Sequence, residues 1–216
     1  MAYKAIIFDL DGTILDTLQD LANSLNHALR THGYPERSLD EVRRFIGNGI
    51  KMLVRRGCPA GTSEEAQEEA LATFRVHYDA HCKDFTGPYD GIHELLDALL
   101  AGGIRTAVVS NKIEPAVIVL CDEHFPKKFE YMVGNRPDLA PKPSPDSVNE
   151  VIEKLGLARK DIVYIGDTEV DIETARNAGI DCIGVDWGFR DGEYLRALGA
   201  KYIVQRPEEV LKIIFE

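Results

Sequence analysis

Ala5-Ile6-Ile7-Phe8-Asp9-Leu10-Asp11-Gly12-Thr13 is the stretch on which the fold turns. An apolar run stops abruptly at two aspartates set two positions apart, with Gly and Thr behind them. Ile6, Ile7 and Phe8 are apolar without alternation, the pattern of a parallel strand covered on both faces. Asp9 and Asp11 then fall where that strand ends. Carboxylates beside a core are costly unless a cation or hydrogen-bond donors compensate them. In an open α/β sheet the carboxyl edge of the strands is also where ligands bind.

Beyond Thr13 the pattern turns helical. Leu18, Leu21, Ala22, Leu25, Ala28 and Leu29 recur at helical spacing behind Thr17 and Asp20, which read as a capping box. Ser38 with Glu41 opens a second helix, which breaks at Gly47-Asn48-Gly49. A third covers Ile50 to about Arg56, and Thr62 with Glu65 opens a longer one to about Cys82. No strand is expected between residues 15 and 84. After the turn-rich Thr86-Gly87-Pro88-Tyr89-Asp90-Gly91, strands and helices alternate. Strands are expected at 106–109, 131–133, 162–165, 182–185 and 202–204. Helices are expected at 92–100, 115–124 and 172–178, after Ser144-Pro145 with Ser as the cap, and from Pro207. Such alternation predicts an α/β fold with a doubly wound parallel sheet. Residues 1–14 and 85–216 would form this core, and residues 15–84 a helical cap inserted after the first strand.

The chain has 216 residues, 44% of them hydrophobic, enough for a full core. A net charge of -11 and a pI of about 5.0 argue against general binding of nucleic acid or anionic membranes, which need basic surface. Cys58, Cys82, Cys121 and Cys182 form no C-x-x-C pair and read as reduced structural thiols. Neither a signal peptide nor a bilayer-spanning run stands out, so a cytoplasmic monomer or homodimer is expected.

Three apolar strands end in reactive polar residues: Asp9 and Asp11, then Ser110, then Asp167. Pro141-Lys142-Pro143 adds a lysine whose neighbouring prolines restrict the backbone. A parallel sheet brings its strand ends to one edge, so a hydroxyl, a lysine and several carboxylates converge there. That set suits phosphoryl transfer, in which a carboxylate attacks phosphorus, Mg2+ bridges carboxylates and phosphate, and lysine and hydroxyl hold the other oxygens.

Asp9-Leu10-Asp11-Gly12-Thr13, Ser110-Asn111, Lys142 and Gly166-Asp167-Thr168-Glu169-Val170-Asp171 resemble, in order, the four motifs of the haloacid dehalogenase superfamily. The helical insertion resembles that superfamily's mobile cap. The resemblance implies that Asp9 is the nucleophile and forms an aspartyl-phosphate, while Asp11 protonates the leaving oxygen and then activates water. It also implies that Ser110 and Lys142 hold the phosphoryl group, with Gly12, Thr13 and Asn111 beside it. Mg2+ would lie on the Asp9 carboxylate, the Asp11 carbonyl and Asp167, and Asp171 would support Lys142 or the metal waters. Dehalogenases of the superfamily lack an aspartate at the second position, so Asp11 favours a phosphatase or phosphomutase.

The segment Arg43 to Arg56 is basic within an acidic chain, and its Gly47-Asn48-Gly49 turn can offer backbone N–H groups to an anion. It is similar to the corresponding segment of phosphoglycolate phosphatases, as is Val185-Asp186-Trp187-Gly188-Phe189-Arg190. A small phosphorylated metabolite with a second negative group, such as 2-phosphoglycolate, would suit Arg43, Asn48 and Gly49. The plainer reading is that these arginines are solvated and pair with nearby acids. A sugar-phosphate, nucleotide or pyrophosphate phosphatase, a phosphomutase, and a non-turning-over phosphate-binding regulatory module are the alternatives.

Overall fold

The computed structural model describes residues 3–215. Ala5–Phe8 forms β1, buried throughout. β4 (Arg105–Ile113) and β6 (Ile162–Gly166) flank it. β5 (Tyr131–Asn135), β7 (Asp181–Val185) and β8 (Tyr202–Val204) complete the order β5-β4-β1-β6-β7-β8, with every pairing parallel. The chain therefore has the parallel α/β architecture that its alternating pattern predicts.

Side chains alternate across β1 into two cores. Ile6 and Phe8 join Leu95, Leu96 and Leu99 of α5 (Ile92–Ala101), Leu120 of α6 (Glu114–His124) and Val210 and Ile214 of α10 (Glu208–Phe215). Ala5 and Ile7 join Val148 and Val151 of α7 (Asp146–Leu155) and Ile172 and Ala175 of α8 (Glu169–Ala178). Each large apolar side chain so buried contributes about 1.5–3 kcal/mol. Helices on both faces therefore hold β1 rigid, and with it the residues just past its end.

The chain divides into two compact units, Met1–Leu15 with Pro88–Glu216, and Asp16–Gly87. The second consists of α1 (Leu18–Thr31), α2 (Leu39–Phe45), α3 (Gly49–Gly57) and α4 (Glu64–His81), with Leu25, Leu29, Val54, Leu71 and Phe74 buried. β2 (Leu15–Asp16) and β3 (Gly87–Pro88) pair as a two-stranded ribbon, a feature that the helical reading of residues 15–84 misses.

Local caps follow the sequence in part. Ser38 and Glu41 form the expected capping box. Thr17 and Asp20 do not: the Thr17 side chain makes no cap bond. The buried Asp20 carboxylate instead accepts from Phe85 N at 3.1 Å and from Thr86 N and Oγ1, each at 2.8 Å. Three donors from the returning segment outweigh the one backbone N–H that a reciprocal cap offers. α4 starts one residue late, with Ser63 Oγ accepting from Ala66 N, and α7 starts behind Pro145 rather than Ser144. Among the described residues no helix is long and apolar enough to cross a membrane.

Candidate active site

β1 ends at Phe8, and Asp9 N still bonds Ile165 O at 2.8 Å, so the first aspartate is aligned by β6. The chain then turns sharply: the N–H groups of Thr13, Ile14 and Leu15 all point at Leu10 O. Gly12 makes that turn possible. Its φ is +85°, and a Cβ there would lie 2.3 Å from Asp167 Oδ2. Asp9 Oδ1 accepts from Leu10 N at 2.7 Å and from Lys142 Nζ at 2.9 Å, leaving Oδ2 outside these contacts.

Lys142 is buried, and its ammonium is the hub of the site. Nζ lies 2.7 Å from Asp171 Oδ1, 2.9 Å from Tyr164 Oη and 3.3 Å from Val109 O, besides Asp9. Its backbone is clasped by Asn111, whose Oδ1 accepts from Lys142 N at 2.8 Å and whose Nδ2 donates to Lys142 O at 3.1 Å. The Lys142-Pro143 peptide bond is cis. Asp171 lies in the first turn of α8, and its Oδ2 accepts from Thr168 N at 3.0 Å and Thr168 Oγ1 at 2.7 Å. Asp167, just past β6, is fully buried and accepts from Thr13 Oγ1 at 3.0 Å and Phe189 N at 2.7 Å.

Carboxylate oxygens of Asp9, Asp167 and Asp171 all lie within 4.8 Å of one another. Burial, then the Asp171 charge, push the Asp9 carboxyl up to about 7, against the pull of Lys142. Burial and the same neighbouring acids raise Asp167 well above the ordinary carboxylate range. For Lys142 burial works against the charge, but Asp171 and Asp9 prevail and hold it well above the ordinary lysine value. Asp9 and Asp171 contact this one ammonium and Asp167 lies beside them, so the three can be ionised together only with a further cation to balance them. The donors are all oxygen, the set that a hard dication such as Mg2+ prefers.

Ser110 is buried on β4, its Oγ accepting from Lys112 N at 3.2 Å. Asp11 faces Lys112 rather than Lys142. The sheet edge thus carries Asp9, Asp11, Gly12, Thr13, Ser110, Asn111, Lys142, Asp167 and Asp171 within one unit. Arg43, Asn48 and Gly49 belong to the helical unit: Arg43 is exposed on α2, Asn48 Oδ1 accepts from Arg56 Nη2 at 2.8 Å, and Gly49 opens α3 with φ +77°. Sequence reasoning assigned no role to Tyr164, Thr168 or Lys112. Lys112 adjoins Ser110-Asn111 in the chain, but Tyr164 sits inside an apolar strand and looks like core.

Fold and residues together define an α/β protein with a buried aspartate cluster, the candidate active site, at the carboxyl edge of its sheet. The chain belongs to the haloacid dehalogenase-like hydrolases, whose family model matches residues 6–185. It is 32% identical over 212 residues to phosphoglycolate phosphatase of Aquifex aeolicus, covering 98% of this chain and 96% of the relative. It is 30% identical over 215 residues to phosphoglycolate phosphatase 1 of Pseudomonas aeruginosa, covering 96% of this chain and 78% of that one. Among solved structures, a protein of Lactobacillus delbrueckii subsp. bulgaricus is 37% identical with a TM-score of 0.95 and 99% of each chain covered. A predicted phosphoglycolate phosphatase from Haemophilus somnus is 30% identical, with a TM-score of 0.90 and 98% and 97% covered.

Proposed function

We propose that this enzyme is a Mg2+-dependent phosphomonoesterase that hydrolyses 2-phosphoglycolate through an aspartyl-phosphate on Asp9. The observation that carries the reading is the Lys142 ammonium held 2.9 Å from Asp9 and 2.7 Å from Asp171, inside a cluster of three buried carboxylates. Asp9 offers Oδ2 to phosphorus while Lys142 keeps Oδ1 fixed. Asp11 gives its proton to the leaving oxygen and then takes one from the attacking water. Ser110 donates to a phosphoryl oxygen, and Lys142 balances its charge.

The Asp9 carboxylate, the Asp11 carbonyl and Asp167 would hold Mg2+. When bound, the ion supplies charge neutralisation between the phosphate and the carboxylates around it. Asp171 already accepts from two donors on each oxygen, where Asp167 accepts from one on each, which suits a supporting part rather than a ligand's. The names of the relatives support 2-phosphoglycolate as substrate. The helical insertion, residues 15–84, is assigned the part of a specificity cap, with Arg43, Asn48 and Gly49 its substrate residues.

Phosphate release from a panel of esters, with Mg2+ or with EDTA, tests the proposal. 2-Phosphoglycolate should lead sugar phosphates, nucleotides and pyrophosphate, and Asp9→Asn should abolish turnover with the fold intact. Arg43→Ala should raise KM for 2-phosphoglycolate and leave that for an alkyl phosphate with no second anionic group unchanged. Turnover that persists in Asp9→Asn, or that needs no divalent cation, would sink the mechanism.

A further inference from the structure

Asp11 does not share the ammonium that holds Asp9. Its carboxylate faces Lys112, whose Nζ lies 2.8 Å from Oδ1 and 3.1 Å from Oδ2. The lysine side chain is 4% exposed and the aspartate 17%. Lysines are seldom withdrawn this far from water unless paired, because the lost hydration must be replaced. Lys112 stands two residues beyond Ser110 on β4, and its backbone N–H donates to Ser110 Oγ at 3.2 Å. One short piece of strand therefore anchors both the buried hydroxyl and the carboxylate of Asp11.

We propose that Lys112 is a positioning residue for the acid/base carboxylate of Asp11, fixing it against β4 so that proton delivery to the leaving alcohol depends on this lysine. The inference rests on the reading of Asp9 as nucleophile and Asp11 as acid/base. In the first half-reaction an Asp9 oxygen bonds to phosphorus as the ester P–O bond breaks. The electron pair goes to the ester oxygen, which takes the Asp11 proton and leaves as a neutral alcohol. In the second, Asp11 takes a proton from water while the water oxygen bonds to phosphorus. The Asp9–phosphorus bond breaks, Asp9 returns as carboxylate, Asp11 as acid, and inorganic phosphate departs.

Both proton transfers require an Asp11 oxygen within hydrogen-bond reach of a particular oxygen of the reacting group. An unrestrained aspartate samples several side-chain rotamers. Contacts from one buried ammonium to both carboxylate oxygens favour a single one. Lys142 cannot replace this contact, since its Nζ is taken up by Asp9, Asp171, Tyr164 and Val109.

Two esters with different leaving groups separate positioning from general damage. 2-Phosphoglycolate expels an alcohol that needs a proton, whereas p-nitrophenyl phosphate expels a phenolate that does not. In Lys112→Met, kcat/KM for 2-phosphoglycolate should fall about 10- to 100-fold, a share of the roughly 10²–10⁴ that general acid catalysis supplies, and for p-nitrophenyl phosphate less than about threefold. Lys112→Arg should restore most of the loss. Lys112→Met added to Asp11→Asn should cost no further activity on either ester, and this double variant leaves no unpaired carboxylate should the single one fold poorly. Equal falls on both esters, or a further loss in the double variant, overturn the assignment of Lys112 alone. A wild-type enzyme that hydrolyses neither ester overturns the phosphatase reading and the inference with it.

Discussion

Asp171 Oδ1 lies 2.7 Å from Lys142 Nζ, with the lysine side chain 3% exposed and the aspartate fully buried. The pair joins the start of α8 to the loop that carries Lys142, and it fixes where the ammonium meets Asp9. Asp171→Asn keeps the shape and removes the charge. Removing one partner of a buried ion pair costs about 3–5 kcal/mol, so urea unfolding should show a loss of that order. kcat should fall at least about tenfold, because Lys142 then settles on Asp9 and weakens it as a nucleophile. Thr168→Val, which removes one hydrogen bond to Asp171, should cost only about 1 kcal/mol. A wild-type kcat in Asp171→Asn would detach this pair from catalysis.

The raised carboxyls of Asp9 and Asp167 make a prediction about pH in the metal-free protein. A folded acid raised above its ordinary value holds its proton better than the unfolded chain does. Its contribution to stability is full below the ordinary value of 3.8 and is lost as pH rises through the folded value, about 7 for Asp9. Unfolding free energy in EDTA should therefore decline between about pH 4 and 7, and Asp9→Asn should flatten that decline. A divalent cation favours the ionised form, so its binding near pH 6 should release protons, which calorimetry in buffers of different ionisation enthalpy detects. An unchanged pH slope in Asp9→Asn would show that Asp9 ionises in the ordinary range.

What was legible in the sequence is what depends on local pattern. The unbroken apolar run Ile6-Ile7-Phe8 marks a strand buried on both faces, and such a strand places Asp9 and Asp11 at a sheet edge. The contacts of Lys112, Tyr164 and Asp20 were not legible for a common reason. Lys112 meets Asp11 across 101 positions, Tyr164 meets Lys142 across 22, and Asp20 meets Thr86 across 66. No periodicity encodes such pairings. Asp20 also shows how a local rule misleads: its spacing from Thr17 suits a cap, but stronger donors arrive from elsewhere in the chain. Asn111 was expected beside the phosphate, whereas its amide is engaged at both ends in holding the Lys142 backbone.

Gly188 should tolerate no side chain. A Cβ there would stand 2.3 Å from Asp167 Cβ, 2.5 Å from Gly12 O and 2.6 Å from Asp167 Oδ2. Backbone lies on one side and a fully buried aspartate on the other, so neither neighbour can swing away. Gly188→Ala should cost about 1–3 kcal/mol through overpacking. By displacing Asp167 it should also raise the Mg2+ concentration needed for half-maximal turnover. Gly87→Ala, where the added Cβ meets nothing within 4 Å and φ is likewise not positive, is the control for a glycine change without overpacking. Normal Mg2+ dependence in Gly188→Ala would mean that Asp167 contributes little to the metal.

Thr17 and Asp20 should respond in opposite ways. Thr17 Oγ1 is buried and has no hydrogen-bond partner among the described residues. Thr17→Val replaces that hydroxyl with a methyl of similar size and leaves no other group unpaired, so stability should be unchanged or slightly higher. Asp20→Ala instead strands the N–H groups of Phe85 and Thr86 and the Thr86 hydroxyl, all of which it accepts from. At about 1–3 kcal/mol for each buried donor left unsatisfied, the loss should reach several kcal/mol, partly relieved where water enters. A helix capping box would give another pattern, with Thr17→Val costing about 1 kcal/mol and Asp20→Ala no more. Chemical denaturation of the two variants therefore decides whether Asp20 works as a helix cap or as the tie that fastens Phe85 and Thr86 to α1.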